Sequence, residues 1–130
     1  MKELPFKIVQ QATGPTLQWL RGSRAEALSG ADRGAVGQGR WVVLAFPVWS
    51  GPDLGVAGRF AEEAQEMPED LRLGLLPFNN PSQELGQWVV GPLHRRAFWT
   101  ICDGKIEGSF FTQEAALESL RAPAQARLAG

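Results

Sequence analysis

Residues 41–46 read Trp-Val-Val-Leu-Ala-Phe, an unbroken apolar run closed by Pro47. A run this short, rich in β-branched and aromatic side chains, is a strand rather than a helix. A strand with one wet face alternates apolar and polar residues, whereas a strand with no polar position has to be covered on both faces. The run therefore belongs in the middle of a sheet with a layer on each side, which is an α/β architecture. The 130 residues suit one domain of ordinary size. A chain of that length buries about two-thirds of its unfolded surface, so its core needs no disulfide or metal staple.

The other elements are read outward from this strand. Phe-Lys-Ile-Val-Gln at 6–10 alternates and predicts a first strand. After Gly14-Pro15, Thr16 is a helix cap, and Leu17, Leu20, Ala27 and Leu28 predict a helix over 16–29. Residues 30–40 are glycine-rich and predict a flexible loop. Residues 50–67 form a helix with Leu54, Ala57, Phe60, Ala61 and Ala64 on one face. Gly55 and Gly58 fit a helix packed close on the sheet. A third strand at 71–76 ends at Pro77. Asn80-Pro81-Ser82-Gln83 opens a short helix, with Asn80 as cap, Pro81 in the first turn and Gln83 completing a capping box. Strands at 97–102 and 105–111 flank Asp103-Gly104, a strong hairpin turn. Thr112 caps a last helix that buries Ala116, Leu117 and Leu120 and ends before Pro123. The tail at 124–130 frays. The fold expected is a mixed sheet flanked by helices.

Between the central strand and its helix stands Phe46-Pro47-Val48-Trp49-Ser50-Gly51-Pro52-Asp53. Here the chain resembles the thioredoxin family, in which a buried strand leads into Trp-Cys-Gly-Pro-Cys at a helix start. The resemblance runs through the strand at 71–76, Asn80-Pro81, the Asp103-Gly104 hairpin and the final helix. It covers about eighty residues, 41–121, and the segment 1–40 is compatible with it. It implies a single thioredoxin-like domain over 1–130. Ser50 and Asp53 hold the two cysteine places. Thiol–disulfide exchange needs an attacking thiolate and a second sulfur, so the resemblance does not extend to that activity. The family's cis-proline loop, which faces the cysteines, falls on or near Arg96 here, and the nearest proline is Pro92.

Two readings of the turn stand side by side. In one, Ser50 caps the helix and Asp53 completes a Ser-x-x-Asp box, with Arg96 as an ion-pair partner for Asp53. In the other, Ser50 and free backbone N–H groups meet His94, Arg95 or Arg96 to hold an anion or small ligand. The function expected is a redox-inactive module that binds a protein or peptide through Trp49, Ser50, Gly51, Pro52, Asp53, Arg95 and Arg96. Phe46, Pro47, Val48 and Trp49 would edge an apolar patch. The alternative is a small-molecule or anion-binding enzyme using Ser50 with a nearby arginine. No catalytic residue is assigned.

Composition removes other classes. One Cys and one His exclude an intrachain disulfide, a Cys-rich zinc site and a multi-histidine metal site. No metal and no cofactor is expected. Thirteen basic against fourteen acidic residues leave a net charge of −1, against a nucleic-acid partner. No run approaches the roughly 20 apolar residues of a membrane span, and the first ten residues lack a secretory apolar segment. The expectation is a cytoplasmic protein without a membrane partner, with homo-oligomer formation possible. Cys102 reads as a buried structural cysteine, and Glu62, Glu63, Glu66 and Glu69 as a solvated helix face. Gly34 to Gly39 precedes a strand and fits neither a dinucleotide fingerprint nor a P-loop.

Overall fold

The computed structural model describes residues 3–88, 93 and 95–121. The strands are β1 (Phe6–Gln11), β2 (Gly14–Trp19), β3 (Glu26–Ala27), β4 (Arg40–Pro47), β5 (Leu71–Phe78), β6 (Ala97–Cys102) and β7 (Lys105–Phe110). The helices are α1 (Gly51–Glu63), α2 (Pro81–Glu84) and α3 (Gln113–Arg121). Five strands form a mixed sheet in the order β3-β5-β4-β6-β7, and β1 and β2 form a separate antiparallel pair. β3, β5 and β4 are mutually parallel, while β6 and β7 run antiparallel to their neighbours.

β4 is the central strand, as its apolar run requires. Residues Trp41 to Phe46 are all completely buried. Val42, Leu44 and Phe46 face one core, which α1 supplies with Ala57, Phe60 and Ala61 and α3 with Ala116. Trp41, Val43 and Ala45 face a second core with Trp99, Ile101, Leu76 and Phe78. The period-two geometry of a strand divides one sequence run between two hydrophobic layers.

Only one face is covered by the long helices. Among the described residues, the second core is closed by Leu28, Val36, Leu85 and Trp88, which lie outside α1 and α3. α2 itself buries nothing. The expectation of helices on both flanks is corrected accordingly.

The helix expected over 16–29 is replaced by β2 and β3. Gly14, at φ +123°, closes a hairpin in which Gln11 faces Gly14 and Ile8 faces Leu17. Pro15 and Leu17 are buried while Gln18 is exposed, an alternation that a helical stripe cannot satisfy. Gly22-Ser23 then breaks the chain before β3. The hairpin packs against the first core through Phe6 and Leu17.

Several boundaries also move. β5 runs through Pro77 to Phe78, with Pro77 paired to Phe46 in parallel register. The helix after Ser50 ends at Glu63 and tightens into a 3-10 turn over Ala64–Glu66. Gly58 faces Leu4 and Pro5 of the N-terminal segment rather than the sheet, and Gly55 faces open space. The cap of α2 uses Glu84, not Gln83: its carboxylate accepts from the Asn79 and Asn80 amides at 2.7 and 3.0 Å. The Asp103-Gly104 turn has both residues left-handed, at φ 47° and 86°, as a two-residue hairpin turn requires. β7 ends one residue early, at Phe110.

The loop expected to be flexible is tied down at several points. It contains a 3-10 turn over Arg33–Val36 with Val36 fully buried. Asp32 accepts from the Ser29 amide at 2.7 Å, and Arg33 donates to the Gly104 carbonyl at 2.6 Å. The Gly39 amide donates to Asp103 at 2.9 Å.

Arg24 closes the far end of α1. Its guanidinium donates to the carbonyls of Ala64 (3.0 Å), Met67 (2.7 Å) and Leu71 (2.6 Å), and to that of Pro68. Helix C-termini leave carbonyls without intrahelical partners; Arg24 meets that of Ala64 there and ties it to the carbonyls of the following turn and the start of β5. Arg24→Met keeps the aliphatic stem and removes these bonds. It is expected to lower unfolding free energy by about 2 kcal/mol, read as a fall in the urea midpoint at unchanged slope.

Candidate functional site

One rim of the sheet gathers the C-terminal ends of β5, β4 and β7 and the N-terminal end of β6. The connections around β4 diverge at this rim. β4 passes to β5 through α1, on the face of the first core. β5 passes to β6 through Leu85 and Trp88, on the face of the second. In open α/β sheets, ligands favour the crevice at the carboxyl ends of strands where connections part in this way.

The turn from β4 to α1 occupies the centre of the rim. Ser50 is extended and its Oγ accepts from the Asp53 amide at 3.4 Å, while its carbonyl accepts from Leu54 at 3.0 Å. Gly51 and Pro52 are exposed in the first turn. The expected capping box is only half formed. The Asp53 carboxylate does not return to the Ser50 amide, which instead donates to the Pro47 carbonyl at 3.4 Å.

Asp53 turns to Arg96. Arg96 Nη1 donates to Asp53 Oδ1 at 2.7 Å, with the two side chains only 18% and 11% exposed. Arg96 Nε also donates to the Phe111 carbonyl at 3.3 Å. This is the ion pair that the sequence offered as the structural use of the two residues. Of the arginines that an anion site would use, this pair engages Arg96 and leaves Arg95 without an ion pair among the described residues. Pro52 has no N–H, the Asp53 amide is on Ser50, and Arg96 is on Asp53.

Trp49 lies on the β5 side of the turn. It is 62% exposed, and its indole N–H donates to the Asn79 carbonyl at 3.3 Å. The other tryptophans behave differently: Trp41, Trp88 and Trp99 are buried and Trp19 is half-buried. Arg95 lies on the β7 side and is exposed, its guanidinium 4.8 Å from the centre of the Phe111 ring. Arg96 approaches the same ring at 4.0 Å. A shallow cleft of about 170 Å³ opens beside Arg96, between Val56 of α1, Phe111 and the start of α3.

Phe111 was not singled out from the sequence. Phe110 ends β7 and packs against the first core, and Phe111, the next residue, is left 45% exposed. The doubled aromatic at a strand end was the available signal. Pro92 and His94, and with them the question of a cis-proline loop, lie outside the described residues.

Cys102 lies at the opposite rim, paired with Lys105 beside the Asp103-Gly104 turn. It is half-buried rather than buried, with its sulfur 3.9 Å from Asp103. Of the acidic run, Glu62 meets Arg21 at 3.4 Å and Glu63 meets Arg59 at 3.2 Å. Among the described residues, no group of three or more His, Cys, Asp or Glu side chains is placed to hold a metal. No helix among them is long and apolar enough to cross a membrane. No family model and no curated protein matches the chain.

Proposed function

We propose that this chain is a thioredoxin-like module whose turn lacks the sulfur chemistry and binds a protein or peptide at the rim. The observation that carries the reading is Trp49. A large aromatic side chain stands 62% exposed at the strand-to-helix turn, with its indole N–H on the Asn79 carbonyl. Exposed aromatics of this kind anchor interfaces, because they bury much area at little conformational cost. The family likeness is supported by the buried central strand, the Ser-Gly-Pro helix start after it, and the closing hairpin and helix. At the two sulfur places Ser50 caps the helix and Asp53 pairs with Arg96. The unpaired Cys102 supports a reducing compartment, the cytoplasm.

Two measurements test this. The purified chain is expected not to reduce insulin disulfides with a dithiol as electron donor; turnover above the dithiol background would refute the redox-inactive reading. A library of displayed ten-residue peptides selected on the chain is expected to yield binders that Trp49→Ala fails to retain. Equal retention by the variant would remove the rim as the binding surface.

A further inference from the structure

We infer that the rim takes an extended acidic peptide, whose carboxylate meets Arg95 beside Phe111 while an apolar residue covers Trp49. This rests on the reading of the rim as a peptide-binding surface and adds the chemistry of the partner.

Two guanidinium groups approach one phenyl ring, Arg96 at 4.0 Å and Arg95 at 4.8 Å. A guanidinium without a carboxylate partner remains available to one brought by a ligand. Arg96 has its partner, Asp53 at 2.7 Å. Among the described residues, Arg95 forms no ion pair. The nearby carboxylates are already engaged. Asp53 is on Arg96, Glu84 accepts from the Asn79 and Asn80 amides, and Glu114 meets Arg59 at 3.4 Å. Among the described residues the rim therefore presents one arginine without a carboxylate partner, although the whole chain is close to neutral.

The apolar half of the surface lies on the same rim. Leu20, Trp49 and Phe111 are the large exposed apolar side chains among the described residues, and two of them stand here. From Asn79, beneath Trp49, to Phe111 the rim crosses β5, β4, β6 and β7. Three inter-strand gaps make about 14 Å, the reach of four or five extended residues. An extended segment with an apolar residue at one end and Asp or Glu three or four positions away would touch both ends. A carboxylate placed on Arg95 accepts charge-assisted hydrogen bonds from a planar donor already oriented by the ring.

The test is the displayed-peptide selection carried out on the full chain, Arg95→Glu and Trp49→Ala, with sedimentation of the unliganded protein alongside. The pool retained by the native chain is expected to be enriched in Asp and Glu. Arg95→Glu is expected to weaken a selected acidic peptide by about tenfold and to redirect its own selection toward Lys and Arg. A Trp49-dependent pool without acidic enrichment overturns the acidic partner and leaves the rim reading standing. A pool insensitive to Trp49→Ala overturns both. Self-association lost in Trp49→Ala would show that a second copy occupies the rim, and would also overturn the proposal.

Discussion

Gly30→Ala is expected to be one of the most damaging single substitutions in the chain, at about 3 kcal/mol. A Cβ on Gly30 would lie 1.9 Å from the carbonyl oxygen of Glu84 and 2.9 Å from its carbon. Both are backbone atoms, so no side-chain rotation relieves the overlap. The segment that would have to move carries the lid of the second core. Trp88 donates its buried indole N–H to the Gly30 carbonyl at 3.0 Å and stacks on Trp99 at 6.0 Å. Leu85, beside Glu84, is fully buried in that core. Gly34, four residues on, has nothing within 4 Å of its would-be Cβ. Gly34→Ala is therefore the control and is expected to leave stability within about 0.5 kcal/mol. Thermal unfolding should separate the two by about 10 °C; equal midpoints would show that residues 29–39 do not press on Glu84 as described.

Asp53→Ala is expected to cost about 3 kcal/mol, because it leaves the Arg96 guanidinium mostly buried without its counter-ion. The Arg96→Met, Asp53→Leu double variant is expected to recover much of that loss. An apolar pair of similar volume removes the desolvation penalty along with the attraction. A double-mutant cycle measures the coupling directly. A double variant no better than Asp53→Ala would mean that Arg96 acts through its Phe111 contacts instead. Because Asp53 is in the first turn of α1 and Arg96 is next to β6, the pair joins the turn to the neighbouring strand. Asp53→Ala is therefore expected to weaken peptide binding as well as stability.

The parts of the fold legible in the sequence are those with strong local signals. The run at 41–46 has no polar position, and only a strand buried on both faces can hold it. Asp103-Gly104 needs two left-handed residues, which those types tolerate. Ser50 and Thr112 mark helix starts by the hydroxyls that accept from the Asp53 and Ala115 amides. The helix expected over 16–29 fails for a physical reason. Leu17, Leu20, Ala27 and Leu28 fit helical spacing by coincidence, while the alternation of Pro15, Leu17 and Trp19 is short and includes a proline. Its partner β1, not its own propensity, makes β2 a strand. Glycine at 30–40 suggests freedom, while two of the bonds that restrain the loop come from Asp103 and Gly104, far along the chain.

At the site, the sequence brought Asp53 and Arg96 together, since a resemblance put both on the same loop cluster. Phe111 and Asn79 could not be found that way. Their roles depend on which strand ends share a rim, and that is set by the sheet order rather than by any local pattern. The cluster of Arg95 and Arg96 on one ring is likewise a product of register: Phe98 faces Phe110, which brings the residues before β6 beside the residue after β7.

The most direct measurement is calorimetric titration of a selected peptide into the native chain and Trp49→Ala, each with and without thiol alkylation. Trp49→Ala is expected to bind about thirtyfold more weakly, and alkylation of Cys102 to change neither affinity. Equal affinity for the two proteins, or binding abolished by alkylation, would contradict the claim that this sulfur-free turn is the docking surface.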